Sequence, residues 1–264
     1  MAPDSTTQAS TSPRLAYGGK TVYGARVGIL ILETQYPRVP GDPVNAMTWP
    51  FPVLYKLVEN ASPARVVEQR AAGLLEPFVA AGRELVAMGA DGIVGNCGFL
   101  VLFQEEMARQ LGVPVAMSSL LQAPLVARLL PPGKRVGILT VNKTELSPAH
   151  LEAAGIDPAT PVASTEGGRE FNRTMYKGGG APTVDVAANE ADVLDAGLGL
   201  VRDHPDIGAI VVECTRMVPY SRALAEATGR PVFDIYNLVT WFHAGLAPRD
   251  FGHPSSALRP FREC

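Results

Sequence analysis

"GARVGILI" at residues 24–31 returns as "GKRVGILT" at residues 133–140, an offset of 109. "DGIVGNC" (91–97) returns as "GAIVVEC" (208–214), and "GVPVAMSS" (112–119) returns as "GRPVFDIY" (229–236), both at an offset of 117. Two equal offsets argue for a duplicated unit. The difference from the first offset fits a change in loop length. Two copies are too few for a solenoid, so the repeat points to two related lobes.

Within each unit, short β-branched runs alternate with longer stretches rich in Ala, Leu and Glu. This alternation implies parallel sheets built from right-handed β-α-β units. The expected fold is therefore α/β, with two pseudo-symmetric Rossmann-like lobes. Each lobe is a short parallel sheet flanked by helices, and the active site lies in the cleft between them. Strands are expected at 21–32, 53–61, 91–96 and 113–119 in the first lobe. A long helix is expected over 62–90, with Ser62 as N-cap, Pro63 in the first turn and a kink or division at Pro77. Residues 99–112 read as a helix ending at Gly112, and 219–229 as its counterpart. The polar segment 1–20 reads as a disordered tail. Residues 21–130 form the first lobe, rejoined by 237–264, whose apolar "NLVTWFHAGLA" (237–247) has helical period. Residues 131–236 form the second lobe.

Composition narrows the function. Of 264 residues, 47% are hydrophobic and 19% charged, as in packed globular proteins. The net charge of -3 offers no basic surplus for a phosphate backbone, so no nucleic-acid partner is expected. No apolar run approaches the roughly 20 residues that cross a bilayer, so no membrane association is expected. The N-terminus has no charged region followed by an apolar core, so a cytoplasmic location is expected. "KGGG" (177–180) lacks the order of residues in a phosphate-binding loop and reads as part of a flexible loop over 164–182.

The chain has 3 cysteines. Cys264 is terminal and has no expected role. Cys97 and Cys214 end corresponding strands of the repeat, on the side where parallel sheets bind ligands. Without a C-x-x-C pair, a zinc site is not expected. Buried packing, a disulfide or reactive thiols remain as readings, and the duplicated placement favours the last. Facing lobes would bring the two thiols to one cleft. A base and an acid on opposite faces of a carbon beside a carboxylate can invert it. A strand end leading into a helix would lower the pKa of each thiol, and the same backbone N–H groups would bind a substrate carboxylate. Asn96, Gly98 and Thr215 flank the thiols as further donors or points of close approach, and Arg216 offers a charge. Residues 33–58, rich in proline, read as either a rigid surface connection or a lid carrying Tyr36, Arg38, Trp49 or Tyr55 toward substrate.

These features resemble the aspartate/glutamate/hydantoin racemase superfamily, from about Val27 to His243. The resemblance rests on two lobes, the repeated "RVGIL", one cysteine per lobe and "Glu-Cys-Thr" at 213–215. It implies a cofactor-independent racemase or epimerase of a small carboxylate, such as an amino acid or hydantoin. Cys97 and Cys214 would be its acid/base pair, Asn96, Gly98, Phe99, Ser118, Thr215, Arg216, Glu33 and Tyr36 would surround the substrate, and the enzyme would be a homo-oligomer, dimer or tetramer. Two departures bear on the substrate. Gly98-Phe99 stand where amino-acid racemases carry Asn-Thr, and Arg216 stands where glutamate racemases carry His. "YPRVPGD" (36–42) and "PVLYKLV" (52–58) look similar to a branch that includes the algal dimethylsulfoniopropionate lyases. That branch implies β-elimination by the same thiol chemistry. A reading from another class is a non-catalytic bilobal protein that binds a small ligand.

Overall fold

A computed structural model describes residues 15–174 and 182–251. Most of the expected tail, Cys264 and the "KGGG" stretch lie outside the described residues. Two parallel four-stranded sheets carry the fold. The first has the order β2-β1-β3-β4, with β1 (Val27–Ile31), β2 (Val53–Leu57), β3 (Gly92–Gly95) and β4 (Val115–Ala116). The second has the order β6-β5-β7-β8, with β5 (Arg135–Thr140), β6 (Val162–Ser164), β7 (Ile207–Val212) and β8 (Val232–Phe233). The two orders are the same, as the sequence repeat requires.

The repeated "RVGIL" forms β1 and β5, next to the central strands β3 and β7. Its glycine has a packing reason in both copies. A Cβ on Gly28 would lie 3.0 Å from Leu85 of α2 (Leu75–Met88) and 2.9 Å from Ile93. A Cβ on Gly137 would lie 3.0 Å from Leu200 of α6 (Val186–Asp203) and 2.6 Å from Ile207. Each lobe thus presses a helix onto its sheet at a point where no side chain fits. The other side of the first sheet is covered by α8 (Ile235–Leu246), whose Ile235, Leu238 and Val239 pack with Val27, Ile29, Val94 and Ala116. The chain therefore leaves the second sheet and returns to the first.

Local structure differs from the expected pattern in several places. The 62–90 stretch is two helices, α1 (Pro63–Val67) and α2, joined by a turn. Ser62 accepts the Arg65 N–H as its N-cap. Arg70, Ala71 and Gly73 all take positive φ, which no continuous helix accommodates. Pro77 falls in the first turn of α2, where its missing N–H costs nothing, so it produces no kink. The strand expected over 21–32 is confined to β1, and 53–61 to β2. Neither expected helix after a cysteine starts as an α-helix. Gly98–Phe103 and Thr215–Tyr220 are 3-10 turns that lead into α3 (Gln104–Leu111) and α7 (Ser221–Thr228). Gly112 and Gly229 close α3 and α7 in the left-handed conformation, matching the repeat.

Candidate functional site

Cys97 and Cys214 follow β3 and β7, the strands at which each sheet reverses its order. In both lobes the residue before the cysteine is held by the neighbouring strand. Asn96 N–H donates to Leu30 O at 3.1 Å, and Glu213 N–H donates to Leu139 O at 2.8 Å. The next two positions are aimed by this pairing, so both thiols reach one cavity. Asn96, Cys97, Gly98, Phe99, Glu213, Cys214, Thr215 and Arg216 line it, with Leu32, Tyr36 and Val141 among the others.

Hydrogen bonds join the lobes beneath the cavity. Thr215 Oγ1 donates to Asn96 O at 2.7 Å, and Ser119 Oγ donates to Val212 O at 2.6 Å. Thr215→Val should leave a buried carbonyl unpaired at this seam and cost about 1–3 kcal/mol, measurable by urea unfolding.

The expected surrounding residues divide into two groups. Asn96, Gly98, Phe99, Thr215, Arg216 and Tyr36 line the cavity. Glu33 and Ser118 do not. Glu33 is exposed on the strand-to-loop turn, and Ser118 is buried as the N-cap of the turn at Ser119–Gln122. The proline-rich loop is rigid rather than open. Arg38 pairs with the buried Asp42, and both Trp49 and Tyr55 donate to Pro43 O. Trp49 stacks between Phe51 and Tyr236, so it and Tyr55 hold the loop rather than face the cavity. Gly41, at a φ of +101°, lies against Pro219 of the opposite lobe, where a Cβ would come within 3.1 Å of the proline. Tyr36 is the loop residue delivered to the cavity. The guanidinium groups of Arg38 and Arg216 both lie over its ring.

The electrostatics reverse one expectation. Burial, not the strand end, dominates both thiols and pushes their pKa values up; the nearby Glu213 adds to the effect. The backbone N–H groups of Phe99 and Arg216 oppose this more weakly, because short 3-10 turns carry little of a long helix's aligned dipole.

Glu213 is the residue that the repeat did not single out. It is fully buried, and burial raises its carboxyl to about 7 despite a 2.6 Å hydrogen bond from Thr140 Oγ1. The backbone N–H groups of Phe99 and Gly98, expected to bind a substrate carboxylate, face this side chain instead. A signal was present in the sequence: a carboxylate directly after the apolar run Ala209–Val212, in register with Asn96.

The raised carboxyl gives a pH signature. Below its ordinary 4.5 it is protonated folded or unfolded and costs nothing. Between 4.5 and about 7 the unfolded chain is ionised while the folded carboxyl keeps its proton, so stability falls as pH rises through this window and levels off above it. The difference corresponds to roughly 3 kcal/mol. Urea unfolding of wild type and Glu213→Gln across this window should show that extra loss only in wild type.

No protein-family model matches the chain. In sequence it is 27% identical over 231 residues to a dimethylsulfoniopropionate lyase of Durusdinium sp. clade D, covering 84% of this chain and 75% of that protein. It is also 27% identical to dimethylsulfoniopropionate lyase 5 of Emiliania huxleyi, covering 83% of this chain but only 45% of that protein. In fold it is similar to allantoin racemase from Klebsiella pneumoniae (TM-score 0.57, 18% identity, 90% of this chain and 100% of that chain). It is likewise similar to unliganded arylmalonate decarboxylase (TM-score 0.53, 18% identity, 87% of this chain and 96% of that chain). These similarities agree with the resemblance to the racemase superfamily and to its lyase branch.

Proposed function

We propose that this protein is an enzyme that removes a proton from the carbon beside a carboxylate, and that it completes the reaction by β-elimination. The observation that carries the proposal is the convergence of Cys97 and Cys214 on one cavity from corresponding strand ends. One thiolate takes the α-proton and becomes a thiol. The C–H electron pair forms the new C=C bond, and the β-substituent leaves with its own bonding pair. Arg216 lines the same cavity and supplies the positive charge that would hold the substrate carboxylate. No step requires a cofactor.

The charge of the cavity bears on the substrate. Burial and Glu213 hold both thiols protonated. A cationic substituent would lower their pKa values and generate thiolate as it binds, whereas a second anion would raise them further. This favours a sulfonium or similar onium acid over aspartate or glutamate, and the lyase relatives support the same class. For dimethylsulfoniopropionate the products are dimethyl sulfide, acrylate and a proton.

A two-base racemase is the second reading, supported by the near-symmetric placement of the thiols. Incubation in deuterium oxide separates the two. Elimination predicts release of the sulfide and acrylate from the onium acid. Racemisation predicts exchange of the α-proton of an amino acid or hydantoin, with inversion and no new alkene. A protein that binds these compounds and catalyses neither reaction would defeat both readings.

A further inference from the structure

The repeat aligns Asn96-Cys97-Gly98 with Glu213-Cys214-Thr215. The amide of Asn96 turns back into its own lobe, where Oδ1 accepts the Leu32 N–H at 3.1 Å. The carboxylate of Glu213 lies instead toward the other lobe, against Gly98 and Phe99. Gly98 makes this possible. A Cβ there would lie 2.6 Å from both Cγ and the carbonyl oxygen of Glu213. Thr140 Oγ1 anchors the carboxylate from below. The N–H groups beside Cys97 are therefore already facing an anion that belongs to the protein.

We infer that Glu213 determines substrate specificity: it closes the Cys97 side of the cavity to a second substrate carboxylate and selects a cationic or uncharged group there. The inference deepens the lyase proposal and rests on it for the location of the substrate. The other charged or titratable groups lining the same cavity are Cys97 at the end of β3, Cys214 and Arg216 on Glu213's own segment, and Tyr36 from the proline-rich loop; Asp42 of that loop acts on Cys214. Arg216 and Tyr36 pack against each other on the same cavity, and the substrate carboxylate would lie against Arg216. An ionised Glu213 attracts an onium group and repels a carboxylate, so discrimination should follow its charge.

The test is calorimetric binding to the Cys97→Ser/Cys214→Ser double variant, which prevents turnover. The probes are dimethylsulfoniopropionate, its uncharged carbon isostere isocaproate, and the dicarboxylate succinate. Above pH 7 the onium acid should bind about tenfold more tightly than isocaproate, with no detectable succinate binding. Adding Glu213→Gln should bring the first two within about twofold and admit succinate. With Glu213 intact, the preference should fade as pH drops through about 7. That pH series carries the test if the glutamine variant does not fold. Equal affinity for the onium acid and its isostere, a preference unchanged in the glutamine variant, or no binding of any probe would overturn the assignment. A wild-type enzyme that shows the preference but does not release sulfide leaves Glu213 in its role and removes the lyase reading.

Discussion

Replacing Cys97 or Cys214 by serine should lower turnover of the onium acid, and the more affected variant should lose about 100- to 10,000-fold. A serine hydroxyl has nearly the size of the thiol, so the cavity keeps its shape. It is far harder to ionise, so the proton at the α-carbon has no base. Elimination needs one base, and unequal losses would identify which thiol it is. Racemisation needs both thiols and predicts comparable losses of inversion from either variant. The measurements are sulfide release and deuterium incorporation, with the unfolding midpoint as a control for folding. Full activity in both variants would remove the thiols from the mechanism.

Gly98→Ala should destabilise the protein by about 1–3 kcal/mol and lower activity with it. The added methyl meets the side chain of Glu213 and also its carbonyl oxygen, both 2.6 Å from the new carbon. Rotating the side chain relieves one contact. The other is main chain, at the end of β7, and moves only if the lobes separate slightly. That movement also strains the Thr215–Asn96 and Ser119–Val212 hydrogen bonds across the seam. A double variant with Glu213→Ala should recover part of the loss, because the side-chain clash disappears while the backbone contact remains. Strict additivity of the two substitutions in urea unfolding would show that residues 98 and 213 do not press on each other.

The placement of Glu213 also explains an asymmetry visible in the sequence. Cys214 is followed by threonine, which donates across to Asn96 O. Cys97 is followed by glycine, because the corresponding cross-lobe contact is made by Glu213 and leaves no space. The repeat supplies two equivalent positions, and packing between the lobes makes them unequal.

The amino-acid sequence by itself determined the duplicated succession of strands and helices and the position of both thiols at strand ends. These follow from local hydrophobic period and from equal spacing, which survive without knowledge of any distant contact. The glycine of "RVGIL" recurs in the repeat, but its reason, a helix pressed onto the sheet at Gly28 and Gly137, appears only in the folded structure. Tertiary structure alone decided the protonation of the thiols, the role of Glu213 and the choice of Tyr36 over Trp49 and Tyr55 at the cavity. Those depend on burial and on contacts between residues more than a hundred positions apart. Local propensity predicted a helix dipole that would lower the thiol pKa values; the folded cavity instead removed the water that thiolates need, and desolvation outweighs a short 3-10 turn.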